Sequence, residues 1–366
     1  MNIDDFVRSE IEEISSNLGD KLKNLDGSVL LLTGGAGFLG FYLLHLILHV
    51  NKTVLKKPCK VICVDSFIRG IPSWMETIKD NSNLEIVEAD ITKIDLSKFG
   101  IVDYVIHAAS IASPTYYRQF PIETMDANVI GLRNILDYCV NEKKAGRGIK
   151  SFLFFSSSEI YGDPTPDAIP TPEEYRGFVS CTGPRACYDE SKRFGETLCV
   201  NFHSIHGIPI KIARPFNNYG PGLGINDRRV IPDFSRSILN KTDIVMLSDG
   251  SPMRTFCYIT DAITGYMLLL FSNHNGESFN IGTEKPEIPM KALAELIASL
   301  ADTHLQIHGI KVVTRISDDK DYLVDNPSRR CPSIKKASDM LGYCPKIALE
   351  EGLLRTLLWY KAEAGL

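Results

Sequence analysis

Tyr188 and Lys192 stand four residues apart in "ACYDESK", a spacing that places both side chains on one face of a helix. A phenol, with an ordinary pKa of about 10, is a poor base at neutral pH. An ammonium one turn away favours the phenolate, which can take a hydroxyl proton while a hydride leaves the same carbon. Upstream, "FFSSSEIYGDP" (154–164) brings Ser156, Ser157, Ser158 and Glu159 to the end of a continuously apolar run, Phe152 to Phe155. Such a run reads as a parallel strand covered on both faces, and its carboxyl end is where open α/β sheets place their ligands. A strand that simply runs out into a loop would look the same, so the surrounding elements must decide.

Gly34, Gly37 and Gly40 in "TGGAGFLG" follow the apolar strand "SVLLLTG" (28–34) and open the helix "FLGFYLLHLILHV" (38–50), which begins with Phe38 and Leu39. A glycine-rich turn lets backbone N–H groups approach a pyrophosphate at a helix N-terminus, where the dipole favours negative charge. Asp65 ends the next strand, "KVICVD" (60–65), placed to accept hydrogen bonds from a ribose diol. An acid there repels the 2′-phosphate of NADP, so the expected cofactor is NAD.

The elements that must position these groups alternate from residue 28 onward. After the first two strands come "NLEIVEAD" (83–90), ending in Asp90 with Ile91 behind it, and "VDYVIHAAS" (102–110). A helix over 121–142, the strand at 152–155, a long helix around 185–206 and "PIKIARPFN" (209–217) follow. Repeated strand–helix units with apolar strands predict an α/β fold, a doubly wound parallel sheet of the Rossmann type. Beyond about residue 220, loops such as "GPGLGINDRR" and "SDGSPMRTF" alternate with amphipathic helices at 289–302 and 347–360, predicting a smaller C-terminal substrate-binding α/β lid. Apolar positions at steps of three and four between Ile3 and Leu25 predict a helical extension that packs on a surface. The expected division is an extension at 1–27, an NAD-binding domain at 28–219 with a return segment near 255–273, and a substrate domain at 220–254 and 274–366.

Composition narrows the class. The chain of 366 residues is 44% hydrophobic and 23% charged, an ordinary globular balance, and its net charge of −5 argues against a nucleic-acid partner. "FYLLHLILHV" (41–50) is interrupted by His45 and His49 and is too short to span a bilayer, and the acidic N-terminus does not read as a signal peptide. Nine cysteines show no C-x₂-C spacing, so we expect no metal and a reducing, cytoplasmic setting.

With "HAAS" (107–110) closing the fourth strand, the G-x-x-G-x-x-G spacing resembles the extended short-chain dehydrogenase/reductase family. The resemblance implies that the "HAA" segment, with Ala108 and Ala109, runs beside the cofactor. Asp90 and Ile91 are assigned to the same site, and Tyr188 and Lys192 to cofactor and substrate together. It further implies that Ser157 binds the hydroxyl that Tyr188 deprotonates. His107 is expected to be a satisfied strand-end histidine.

Within that family, nucleotide-sugar dehydratases carry Thr-Asp-Glu at the corresponding strand end, the aspartate protonating a leaving hydroxyl. Here Ser158 stands in the aspartate's place while Glu159 remains, and a serine is too weak an acid for that step. Nucleotide-sugar 4-epimerases typically carry serines with no glutamate. The Ser-Glu pair resembles the UDP-glucuronic acid decarboxylase branch. "SSSEIYGDP", "GPRACYDESKRFGET", "RPFNNYGPG", "NDRRV", "RTFCYITD" and "RRCPSIKKASDMLGYCPKIALEEGL" follow that branch's pattern in order, over about residues 28–362. The longer "NEKKAGRGIK" (141–150), Ser157 in place of a commoner threonine, and the N-terminal extension are departures.

Such an enzyme oxidises the sugar's carbon 4, placing a ketone β to the carboxylate, so that carbon dioxide leaves and the ketone is then reduced. The resemblance implies Tyr188 as base and then acid, Lys192 as its electrostatic support, Ser157 on the oxyanion, and Glu159 positioning the ring or a water near carbon 5. Arg254 and Asn217 resemble diphosphate contacts, and Arg185 and Arg330 are candidates for the carboxylate region. Relatives pair through the helices corresponding to 121–142 and 185–206, so a homodimer is expected. A 4-epimerase or 4,6-dehydratase on the same scaffold, and more remotely a non-catalytic nucleotide-sugar sensor, are the competing readings.

Overall fold

The seven strands Val29–Thr33 (β1), Lys60–Asp65 (β2), Leu84–Glu88 (β3), Tyr104–His107 (β4), Ser151–Phe155 (β5), Ile210–Pro215 (β6) and Ser278–Ile281 (β7) form one sheet in the order β3-β2-β1-β4-β5-β6-β7. Every pairing in it is parallel. The computed structural model describes residues 3–315, 317–320 and 324–366. Because successive side chains of a strand point to opposite faces, the apolar strands feed two cores. Leu30, Leu32, Cys63 and Ile106 face one, and Leu31, Ile62, Val64 and Val105 the other.

The first core is closed by helices Ile3–Leu18 (α1), Phe38–Thr53 (α2), Ile259–Leu270 (α5) and Leu349–Glu363 (α6), which contribute Ile11, Phe41, Ile263 and Leu353. Helices Leu132–Lys144 (α3) and Ala186–His206 (α4) close the second with Ile135 and Cys199. The helix expected over 121–142 is interrupted: a short helix, Pro121–Asp126, passes through a wide turn at Ala127–Gly131 before α3. At that turn Gly131 packs on Ile91, where a Cβ would come within 2.6 Å of the isoleucine Cγ2. The N-terminal extension is α1 followed by a 3₁₀ turn, Gly19–Leu25. It is pinned to α6 by Phe6 against Trp359, with ring centres 5.8 Å apart, and by Arg355 on Glu10 and Glu13 at 3.0 and 2.8 Å.

The segment expected to stay in the lid from residue 274 instead rejoins the sheet as β7, paired with β6. Four residues are too few for periodicity to separate an edge strand from a loop. In the lid, Arg254 pairs antiparallel with Ile288 and parallel with Arg330 in a small three-stranded sheet. That pairing sets the two arginines side by side over the carboxyl edge of the main sheet.

Candidate active site

Strand order reverses between β1 and β4, and a cavity of about 1330 Å³ opens there, running from the glycine turn to the end of β5 and up to the lid. At one end Gly34 adopts φ +76°, and a Cβ would come 2.5 Å from the Ala109 nitrogen, so only glycine fits. Gly40 is likewise excluded from bearing a side chain by the Gly35 carbonyl. Gly37 differs. It is exposed at the N-terminus of α2, and a Cβ would meet only the Gly34 carbonyl oxygen, at 3.4 Å. The chain's own packing does not demand glycine there, whereas a phosphate brought against the helix end does.

Asp65 ties this turn to the end of β2. Its Oδ2 accepts from the Ala36 N–H and its Oδ1 from the Phe67 N–H, both at 2.9 Å. Burial raises its pKa while those N–H donors lower it. Each oxygen keeps a second lone pair for a ribose hydroxyl. Phe38, Leu39, Asp90, Ile91, Ala108 and Ala109 line the same cavity. Asp90 is itself occupied by the Thr92 N–H and hydroxyl at 2.9 and 2.7 Å and by Lys93 at 3.1 Å. The open cradle at Gly37 beside an acceptor at Asp65 fits a dinucleotide. His107, expected to be fully satisfied, is half so: Thr33 Oγ1 meets its Nδ1 at 2.7 Å, while its buried Nε2 has no hydrogen-bond partner among the described residues. Burial pushes its pKa down to about 3, so the ring is neutral.

At the other end Ser157 caps the 3₁₀ turn Ser158–Tyr161, its Oγ accepting from the Glu159 N–H at 3.2 Å. On α4, Lys192 lies one turn beyond Tyr188, as the spacing required, and donates to the Phe155 carbonyl at 2.7 Å. Burial pushes the lysine down to about 7 and the tyrosine up to about 12. Hydrogen bonding with Ser157 and the charge of Arg229 oppose burial at Tyr188. The Lys192 ammonium lies 5.8 Å from the Tyr188 ring centre with one of its three N–H groups on the Phe155 carbonyl, and Ser157 shares the support assigned to the lysine.

Glu159 is gripped from two sides. Arg330 holds it through both guanidinium nitrogens, one at 2.6 Å, and Arg185, at the start of α4, reaches the same carboxylate. Burial works to raise the Glu159 pKa, but the two guanidiniums win and hold it well below the usual carboxylate range. The two residues expected to meet a substrate carboxylate are thus poised on one already. Arg254 donates to the carbonyls of Met253, Pro327 and Ser328 and to Asn326 Oδ1, and burial lowers its pKa to about 9. Asn217, at φ +39°, donates to the Thr255 carbonyl at 2.8 Å. Both line the cavity.

Comparison with known proteins identifies the family. Residues 30–282 match the NAD dependent epimerase/dehydratase family. The chain belongs to that family. "UDP-glucuronic acid decarboxylase 5" of Arabidopsis thaliana is 37% identical over 88% of this chain and 86% of its own length. "UDP-glucuronic acid decarboxylase 1" of Xenopus tropicalis is 32% identical over 98% of this chain and 82% of its own. Among solved structures, the epimerase Mth375 of Methanothermobacter thermautotrophicus superposes with a TM-score of 0.80 at 27% identity, covering 96% of this chain and 97% of that one. A UDP-glucuronic acid 4-epimerase of Bacillus cereus, solved with UDP-glucuronic acid and NAD, gives 0.75 at 26%, covering 92% and 99%.

For a member of the NAD dependent epimerase/dehydratase family the cofactor is NAD, and the glycine cradle and Asp65 are the residues that fit it. The structure adds residues that the sequence reading missed. Tyr117 stacks on Tyr188, ring centres 5.1 Å apart and 12° from parallel, and the Arg185 guanidinium lies 5.9 Å from the Tyr117 ring centre. Asp189 is buried 3.7 Å from Arg185. The i, i+4 spacing of Arg185 and Asp189 was the available signal. For Tyr117 no local pattern exists.

Proposed function

We propose that the protein decarboxylates a UDP-linked uronic acid, UDP-glucuronate, to the pentose UDP-xylose. The observation that supports this most is the paired grip of Arg185 and Arg330 on Glu159, at the strand end that carries Ser157 but has serine, not an acid, at position 158. Two arginines already held on a carboxylate are suited to orient a second one. A neutral hexose would offer them hydroxyl oxygens but no opposite charge.

Tyr188 takes the proton of the carbon-4 hydroxyl, and Ser157, which opposes the upward shift of the same phenol, holds that oxygen. NAD supplies the hydride acceptor and, after carbon dioxide has left, the hydride donor. The carbon-4 ketone lies β to the carboxylate, so the electrons of the breaking carbon–carbon bond flow into an oxyanion, which Ser157 and the Tyr188 hydroxyl stabilise. Arg185 and Arg330 orient the leaving carboxylate, and Glu159 fixes both arginines and a water that gives a proton to carbon 5, which restores the ketone; Tyr188 then returns its proton to the carbon-4 oxygen in the reduction. Arg254 and Asn217 hold the diphosphate. Incubating the purified protein with UDP-glucuronate and weighing the product tests this: loss of one carbon dioxide is expected.

A 4-epimerase acting on the same uronate is the second reading, favoured by the likeness to the Bacillus cereus structure; its product would keep the substrate's mass. We also propose a homodimer. Ile122 and Ile130 before α3, and Phe194, Val200 and Ile205 on α4, are exposed apolar side chains on the two helices expected to pair. Among the described residues no helix is long and apolar enough to cross a membrane, and we place the protein in the cytoplasm on its cysteine usage. The domain division we propose extends the NAD-binding return segment through β7, leaving 220–254 and 282–366 as the substrate domain.

A further inference from the structure

Asp189 directly follows the catalytic tyrosine and is 4% exposed. Its Oδ2 is 3.7 Å from Arg185 Nε, too long for a hydrogen bond. Its Oδ1 is buried with no hydrogen-bond partner among the described residues, and so are Arg185 Nε and the Tyr117 hydroxyl. Glu159, in contrast, is saturated by guanidinium N–H groups. Of two carboxyls sharing one arginine, the one without hydrogen bonds is the one that neutralises, and burial together with the Glu159 charge raises the Asp189 pKa accordingly.

Charged groups from three elements face Asp189. Arg185 lies on its own helix, Glu159 at the end of β5, and Arg330 and Asp325 on the lid; the phenols of Tyr117 and Tyr188 are also close. Asp325 is exposed, so solvent screens it. With Asp189 protonated, Glu159, Arg185 and Arg330 carry an excess of one positive charge, to which Arg254, buried beside Arg330, adds another. With Asp189 ionised, the two carboxylates balance Arg185 and Arg330, and a further carboxylate meets one positive charge fewer. An ionised Asp189 would also oppose the phenolate of Tyr188.

Resting on the decarboxylase reading above, we propose that Asp189 is a positioning residue that carries a proton on its carboxyl at neutral pH and so leaves Arg185 and Arg330 one charge in excess for the substrate's carboxylate. The proton comes from solvent, and no other bond changes. Asp189 therefore sets selectivity for a uronate over the matching neutral hexose without touching the reacting carbon.

The test is equilibrium binding of UDP-glucuronate and UDP-glucose to the NAD-loaded Tyr188→Phe protein, which cannot turn over, from about pH 6 to about pH 9.5. The ratio of the two affinities cancels ionisation of the shared nucleotide. We expect that ratio to fall by up to about tenfold per pH unit above the Asp189 titration, and to stay at its low-pH value throughout in Asp189→Asn. A ratio that does not change with pH, or one that falls equally in Asp189→Asn, overturns the proposal. If Asp189→Asn fails to fold, titration calorimetry of Tyr188→Phe in two buffers of different ionisation enthalpy replaces it. Uptake of up to one proton per uronate at the alkaline end is expected, and no uptake overturns the proposal. Uronate that binds no tighter than UDP-glucose at any pH would instead overturn the decarboxylase reading on which the inference rests.

Discussion

The two ends of the cavity are built in opposite ways. At the cofactor end the working parts are backbone: a left-handed glycine at 34, an uncovered helix end at 37, and an aspartate that ties the turn down through two N–H groups. At the substrate end the working parts are charged side chains from three separated segments, Glu159, Arg185 and Arg330, converging in a buried cluster. A backbone cradle is specified by a few neighbouring residues and reads the shape common to all dinucleotides. A charge cluster depends on the whole fold and, in the function proposed, meets one substituent of the sugar. That contrast suggests how one scaffold keeps its cofactor while its substrates vary.

Variants at the two ends should therefore fail differently. The largest effect belongs to the group both ends share: Tyr188→Phe removes the base, and turnover of the uronate should drop by about 10²–10⁴ with NAD still bound, measured by single-turnover kinetics and cofactor content. Glu159→Gln leaves two buried guanidiniums without their carboxylate. It should cost about 3–5 kcal/mol by denaturant unfolding and impair turnover, again without loss of NAD. NAD loss in that variant would erase the distinction between the ends.

At the cofactor end, Gly34→Ala forces a Cβ into the Ala109 backbone from a left-handed conformation and should destabilise the fold by more than about 1–2 kcal/mol. Gly37→Ala should unfold within about 0.5 kcal/mol of the unmodified protein yet lose NAD affinity, because the obstruction is to the phosphate and not to the chain. Asp65→Ala should weaken NAD more than NADP, read by titration of the two cofactors.

How much of this was legible follows from the same contrast. The glycine turn, Asp65, the serine-bearing strand end and the Tyr188–Lys192 spacing lie within single elements, so local pattern sufficed to find them. The lysine's hydrogen bond to Phe155 and the stacking of Tyr117 on Tyr188 need the sheet and α4 already docked. The grip of Arg330 on Glu159 bridges a separation of 171 residues and is set by a two-residue pairing in the lid that carries no periodicity. The family resemblance pointed to the arginine but not to its partner. β7 was missed because four residues of edge strand resemble a loop, and the wide turn before α3 because the apolar pattern continues through it.

The smallest predicted effect lies away from both ends. Glu10, buried on α1 against α6, has its pKa raised from 4.5 to about 7 by burial, with Arg355 opposing. The folded state therefore binds a proton that the unfolded state has released, and this contribution to stability is lost as pH rises through that window. Glu10→Gln should unfold with less loss of stability between acid and neutral pH, a difference of about 1–2 kcal/mol in denaturant titrations. An unchanged pH profile would mean that Arg355 keeps Glu10 ionised.

The central claim is that the arginine pair at the substrate end serves a carboxylate that leaves. The most direct measurement is the fate of UDP-glucuronate labelled at carbon 6 and incubated with the NAD-loaded protein. The account predicts stoichiometric release of labelled carbon dioxide together with a nucleotide pentose, and no 4-keto-6-deoxy sugar from UDP-glucose. Label retained in a uronate epimerised at carbon 4, or dehydration of the neutral hexose at a comparable rate, would contradict it.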